Sequence, residues 1–165
     1  MALKDVLLPE YDQEMKITRK LLERVPEAEL AWKPHSKSMT MGRLAGHLVE
    51  LPSFAGAILD NNSYDIASGG PSRPELKTRQ ELLAAFDAGV AATRANIASR
   101  TDADLLSAWS LKKGGETMFT LPKAAVLRTF LFNHVIHHRG QLSVYLRLKE
   151  VPVPAIYGPS ADEKM

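Results

Sequence analysis

Four long stretches of this sequence place apolar residues at three- and four-residue intervals, a repeat that commits each of them to a helix with one buried stripe. The first covers residues 3–25, where Leu7, Leu8, Tyr11, Met15, Ile17, Thr18, Leu21, Leu22 and Val25 supply the spacing. Pro9 is expected near its start, where a missing N–H costs least. The second covers residues 41–61, with Thr40 as N-cap and a kink at Pro52. Thr78 and Glu81 read as a capping box opening a third, Ala-rich helix over residues 79–100. The fourth opens at Pro122, a residue suited to a first helical turn, and runs to about residue 150, where Pro152 and Pro154 stop it. Residues 61–74 are turn-rich and too poor in apolar side chains for anything but a loop. Trp109, Leu111, Met118 and Phe119 alternate around Lys113-Gly114-Gly115-Glu116, which predicts a small hairpin or a structured loop. The expected fold is therefore all-α, a four-helix bundle with two long connections, in one domain over residues 1–165.

Composition narrows the chemistry. With 165 residues, 45% of them hydrophobic, the chain can bury a full core without disulfides or a structural metal, so a metal found here would serve function. Cysteine is absent, which removes thiolate zinc sites, redox pairs and a cysteine nucleophile. A formal net charge of +2 is too small and too dispersed for a nucleic-acid footprint. No apolar run is long enough for a membrane span and no signal-like segment opens the chain, so a cytoplasmic location without membrane contact is expected.

The histidines fall in an informative place. With His134 set to zero on a helical wheel, Leu127 and Tyr145 lie at about 20°, His138 at about 40°, Leu131 at about 60° and Leu142 at about 80°. His134 and His138 thus share the apolar stripe, and His137 falls at its margin. Residues four apart stack one turn above another, so an HxxxH pair can aim two ring nitrogens at one ion. The same construction on the second helix groups His47 with Leu44, Leu51, Phe54 and Ile58, pointing into the same core. Buried unpaired imidazoles cost about 1–3 kcal/mol each, and a shared divalent cation would relieve that cost. Zinc, nickel, iron and manganese all accept three neutral imidazoles with positions left open. The competing reading gives each histidine its own hydrogen-bond partner in the core. His137 can be a packing or outer-sphere residue, or replace a neighbour as ligand. Glu50, three residues after His47, can accept a hydrogen bond from it, ligate, or stay solvated. His35 lies in a Pro-Ser loop and is expected at the surface. The second glutamates and Glu-x-x-His repeats of a di-iron bundle are missing, as are HExxH, GxSxG and a phosphate-cradling Gly loop.

Gly46-His47-Leu48-Val49-Glu50, together with Asn133-His134-Val135-Ile136-His137-His138-Arg139-Gly140-Gln141-Leu142, resembles the DinB-like metalloprotein family. The likeness extends through Trp32-Lys33-Pro34, Ser38-Met39-Thr40, Val151-Pro152-Val153-Pro154 and Tyr157-Gly158-Pro159-Ser160. The resemblance implies a four-helix bundle in up-down-down-up order, often homodimeric, holding one divalent metal through His47, His134 and His138. Its related members include transferases and isomerases that use mycothiol or bacillithiol.

Two classes of function follow. As an enzyme, the protein would act on a small molecule as a metal-dependent hydrolase or a thiol-dependent S-transferase, with an external low-molecular-weight thiol because the chain has no cysteine. Gln141 and Tyr145 lie on the metal-facing arc and could orient water or substrate, although core packing is the commoner role of a Tyr in such a place. As a non-catalytic module, it would bind metal and homodimerise. Phe132 and Ile136 fall opposite the histidines, where large apolar residues imply contact with another helix or another subunit, and Gly140 would allow close backbone approach.

Overall fold

The computed structural model describes residues 1–69 and 77–164, and these are mostly helical with one small sheet. Helix α1 spans Leu3–Leu22. Pro9 lies inside it, not at its start, because the helix already begins at Leu3, and the Asp5 carbonyl loses its intrahelical donor there. The following loop is laced to the next helix by Met41 N–H to the Trp32 carbonyl at 2.8 Å and Gly42 N–H to the Leu30 carbonyl at 2.9 Å. A Cβ at Gly42 would sit 3.0 Å from that same carbonyl oxygen, a tight contact that favours glycine here.

Helix α2 spans Met41–Leu59, and the Thr40 hydroxyl accepts from Arg43 N–H at 3.1 Å, as the N-cap assignment requires. Pro52 lies within it, and Thr93 of the third helix donates to the Pro52 carbonyl at 2.5 Å, tying the two helices together in the interior. Helix α3 spans Arg79–Ser99 behind the Thr78–Glu81 capping box. A short helix α4, Asp102–Leu106, follows with its own box from Thr101 and Asp104.

The region read as pure loop contains a strand. β1 (Ser63–Asp65) pairs in parallel with β2 (Ala108–Lys113), and β2 pairs antiparallel with β3 (Glu116–Pro122) around Gly114 and Gly115, both at positive φ. β1 is anchored by polar and aromatic contacts together: the Asp65 carboxylate accepts from Gly114 N–H at 2.9 Å and Gly115 N–H at 2.7 Å, and Tyr64 packs edge-on against Phe54 of α2. Residues 70–74 of the predicted loop lie outside the described residues.

The last helical segment is composite. Pro122 closes β3 and serves as N-cap, one position earlier than a first-turn residue; α5 (Lys123–Leu127), a π-helical stretch (Arg128–Asn133) and α6 (His134–Leu148) then run on end to end. A π-helix has i→i+5 hydrogen bonds and so shifts the phase of whatever follows. Val126, Leu127, Leu131 and Phe132 are all fully buried, a set no single α-helical stripe of uniform pitch accommodates. Helix α2 packs on α3 and α6, and α1 packs on the same two. Phe132, predicted to face outward, packs edge-on against Tyr11 of the chain's own α1, with ring centroids 6.2 Å apart, and Ile136 is half-buried. Phe132 is thus accounted for within the chain. Arg139 is also buried, 1% exposed, pairing with Glu14 of α1 and with the hydroxyl of Tyr157 in the C-terminal segment.

Candidate metal centre

The buried stripe of α6 is formed by Val135, His138, Arg139, Leu142 and Leu146. On the wheel used above it is centred at about 90° from His134, and the buried stripe of α2 is displaced by a similar angle from His47. The histidines therefore occupy the rim of the α2–α6 seam, not the middle of the core. His138 is buried, His47 and His134 are half-buried, and His137 is exposed. A rim position admits solvent and small molecules while the neighbouring apolar residues hold the rings in place.

The rings converge. His47 Nε2 and His134 Nε2 lie 3.2 Å apart, and His47, His134 and His138 each offer a nitrogen within 4.8 Å of the others. Ring centroids are separated by 4.5 Å for His47–His138, 4.7 Å for His134–His138 and 5.0 Å for His47–His134. Two nitrogens on a tetrahedral ion at about 2.0–2.1 Å are about 3.3 Å apart, close to the Nε2 separation found here. The three histidines could hold a metal ion.

The outward nitrogens are already engaged. His47 Nδ1 meets Glu50 Oε2 at 3.3 Å, and His138 Nδ1 meets Gln141 Oε1 at 2.8 Å. His134 turns its Nε2 to His47, and the backbone of Phe130 in the π stretch favours the protonated ring, opposing burial. Carboxylate and carboxamide oxygens accept, so His47 and His138 can each hold a proton outward and turn the other ring nitrogen toward its neighbours. Lone pairs facing one another at the 3.2 Å Nε2–Nε2 separation repel unless a cation or a shared proton lies between them. Charge is disfavoured on the rings themselves: burial, and then the neighbouring His138 and His47, push the His134 pKa down to about 4. His47 and His138 are lowered as well, chiefly by burial, with the bonds to Glu50 and Gln141 opposing. Neutral imidazoles are the ligating form.

The other predicted site residues are placed differently. Tyr145 donates to the Met39 carbonyl at 3.2 Å and packs edge-on against Trp32, joining α6 to the loop before α2 and not to a histidine. His137 touches the ring of His138, with centroids 4.8 Å apart. His35 is exposed and accepts from Lys37 N–H in its own loop. Arg43 carries no motif, yet it grips both oxygens of Glu50, at 3.1 and 3.0 Å. The spacing of Arg43, His47 and Glu50, four and then three residues apart, was the available signal for it.

A mostly helical chain with a three-stranded sheet and three imidazoles gathered between two helices defines a class: helical proteins with a histidine site able to hold a metal ion. The sequence model of the DinB family matches residues 1–164, and the chain belongs to the DinB family. It is 29% identical over 160 residues, 96% of its length and 90% of the other, to the uncharacterized protein YrdA of Bacillus subtilis strain 168. Its fold is similar to two solved structures. One is a DinB-like protein from Bacillus cereus ATCC 10987, with TM-score 0.72, 22% identity, and coverage of 91% of this chain and 95% of that one. The other is the DinB-like protein YjoA from Bacillus subtilis, with TM-score 0.68, 21% identity, and coverage of 88% and 94%. No helix among the described residues is long and apolar enough to cross a membrane.

Proposed function

We propose that this DinB family member is a single-domain four-helix bundle of up-down-down-up order that binds one divalent transition metal, zinc, nickel, iron or manganese, through His47, His134 and His138. It uses the metal to act on a small molecule, as a hydrolase or as an S-transferase to a low-molecular-weight thiol. The observation that carries this reading is the mutual approach of ring nitrogens whose opposite faces are already satisfied, by Glu50 for His47 and by Gln141 for His138. A bound divalent ion supplies Lewis acidity, the capacity to lower the pKa of a water or thiol placed against it. The chain's own residues do the rest. Glu50 and Gln141 fix ring orientation, and the rim placement of His47 and His134 leaves a face open to solvent.

Metal analysis of the purified protein and of His138→Ala, followed by a turnover screen with esters, amides and thiol acceptors plus several low-molecular-weight thiols, tests the proposal. Close to one equivalent of metal in the parent, loss of it in the variant, and metal-dependent turnover are expected. Equal metal content in the two proteins would refute the ligand assignment. Stoichiometric metal without turnover on any substrate would replace the enzyme by a metal-binding module.

A further inference from the structure

Arg43, His47 and Glu50 occupy one side of α2, over two helical turns. The guanidinium of Arg43 meets Glu50 as a fork, Nη1 to Oε1 at 3.1 Å and Nη2 to Oε2 at 3.0 Å, with the two side chains 34% and 29% exposed. Oε2 of the same carboxylate is the atom that meets His47 Nδ1 at 3.3 Å. A half-exposed glutamate has rotamer freedom enough to reach solvent, to swing toward the three rings, or to meet His47 edge-on. A planar two-point grip on its carboxylate removes most of that choice, and arginine is the side chain able to supply it.

We propose that Arg43 is a positioning residue: by fixing both oxygens of Glu50 it sets the His47 ring with its proton on Nδ1, so that Nε2 is presented toward His134 and His138. This rests on the metal-site reading for its purpose but not for its geometry. The facing Nε2 atoms of His47 and His134 cannot both stay bare in the metal-free protein, so one ring must give up its outward proton. Glu50 offers His47 a carboxylate, whereas the Phe130 backbone beside His134 carries no charge, and the charge-assisted bond is the stronger. His47 therefore keeps the Nδ1–H form and His134 yields. Arg43 also brings a positive charge near a cation site, which Glu50 neutralises, so a charge-removing substitution would mix two effects. Arg43→Lys keeps the charge and loses the fork.

The test has two arms. In metal-free protein above the imidazole titration range, nitrogen NMR of the His47 ring should show predominantly Nδ1–H in the parent and a mixture of the two tautomers in Arg43→Lys and in Glu50→Gln. Zn²⁺ affinity by chelator competition should fall about 3–10-fold in Arg43→Lys, less than the roughly 10–100-fold that losing a direct outer-sphere partner costs, because Glu50 itself is kept. In a Glu50→Gln background the same Arg43→Lys change should have no further effect, because the arginine acts through the carboxylate. A parent-like His47 tautomer in Arg43→Lys, or an equal loss of affinity with and without Glu50, would overturn the proposal. A protein that binds no metal would remove the proposed function and leave the tautomer measurement to decide this inference alone.

Discussion

Replacing Glu14 by alanine isolates a charge in the interior. The Arg139 side chain is 1% exposed and that of Glu14 8%, with Nη2 to Oε2 at 2.6 Å. The Tyr157 hydroxyl accepts from the same Nη2 at 2.6 Å and donates to Glu14 Oε2 at 2.8 Å, closing a triangle across α1, α6 and the C-terminal segment. Without Glu14 the guanidinium keeps the Glu14 backbone carbonyl, Thr18 and Tyr157 as hydrogen-bond partners but has no counter-charge. Breaking a buried pair from one side costs about 3–5 kcal/mol. Unfolding entropy near 2.1 cal/mol/K per residue amounts to about 0.35 kcal/mol/K for a chain of 165 residues. The melting temperature of Glu14→Ala should therefore fall by about 9–14 °C, measured by calorimetry at neutral pH in the metal-free state. The double variant Glu14→Leu with Arg139→Met removes both charges and should recover to within about 2 kcal/mol of the parent, since well-packed apolar replacements of buried pairs are often neutral. A fall of under about 3 °C for the single variant, or a double variant less stable than the single, would show that desolvation does not govern this contact.

Three further outcomes are expected. Zinc added to about 100 times its dissociation constant should stabilise the parent by about 2.7 kcal/mol and leave His138→Ala unmoved in a thermal scan. In chelated protein, the imidazole of His134 titrates near 4 when folded and near the ordinary histidine value when unfolded, so the unfolded chain takes up protons first. Stability should fall as pH drops from about 6.5 toward 4, and His134→Asn should flatten that slope; a pH-independent melting curve for the parent would contradict it. Gly42→Ala must push its Cβ against the Leu30 carbonyl, and should lower stability despite alanine's better helix propensity, which a denaturant titration would detect.

Much of this architecture is legible in the sequence because its signals are local. Thr40 and the Thr78–Glu81 pair stand where helices begin, and the alternation around Gly114-Gly115 is a hairpin. The HxxxH pair and His47 come together because each lies beside an apolar stripe whose partner is the other. What was not legible is set by tertiary contacts. Ser63–Asp65 has no apolar pattern and becomes a strand through the Asp65 carboxylate's grip on a distant turn. Arg139 reads as a surface residue until Glu14, far away in sequence, is found opposite it. The wheel assumed uniform pitch and centred the stripe on the histidines, so it placed Phe132 outside and the imidazoles too deep. The short α4 carries its own local signal in the capping pair Thr101 and Asp104.

The widened turn between Arg128 and Asn133 separates two demands on one rod. Its first half must bury Val126 and Leu127, and its second must bring His134 and His138 to the seam facing α2. Trimming a single residue there would rotate one half against the other by about 100°, so a shortened chain could keep its aliphatic end or its imidazole cluster in place, but not both.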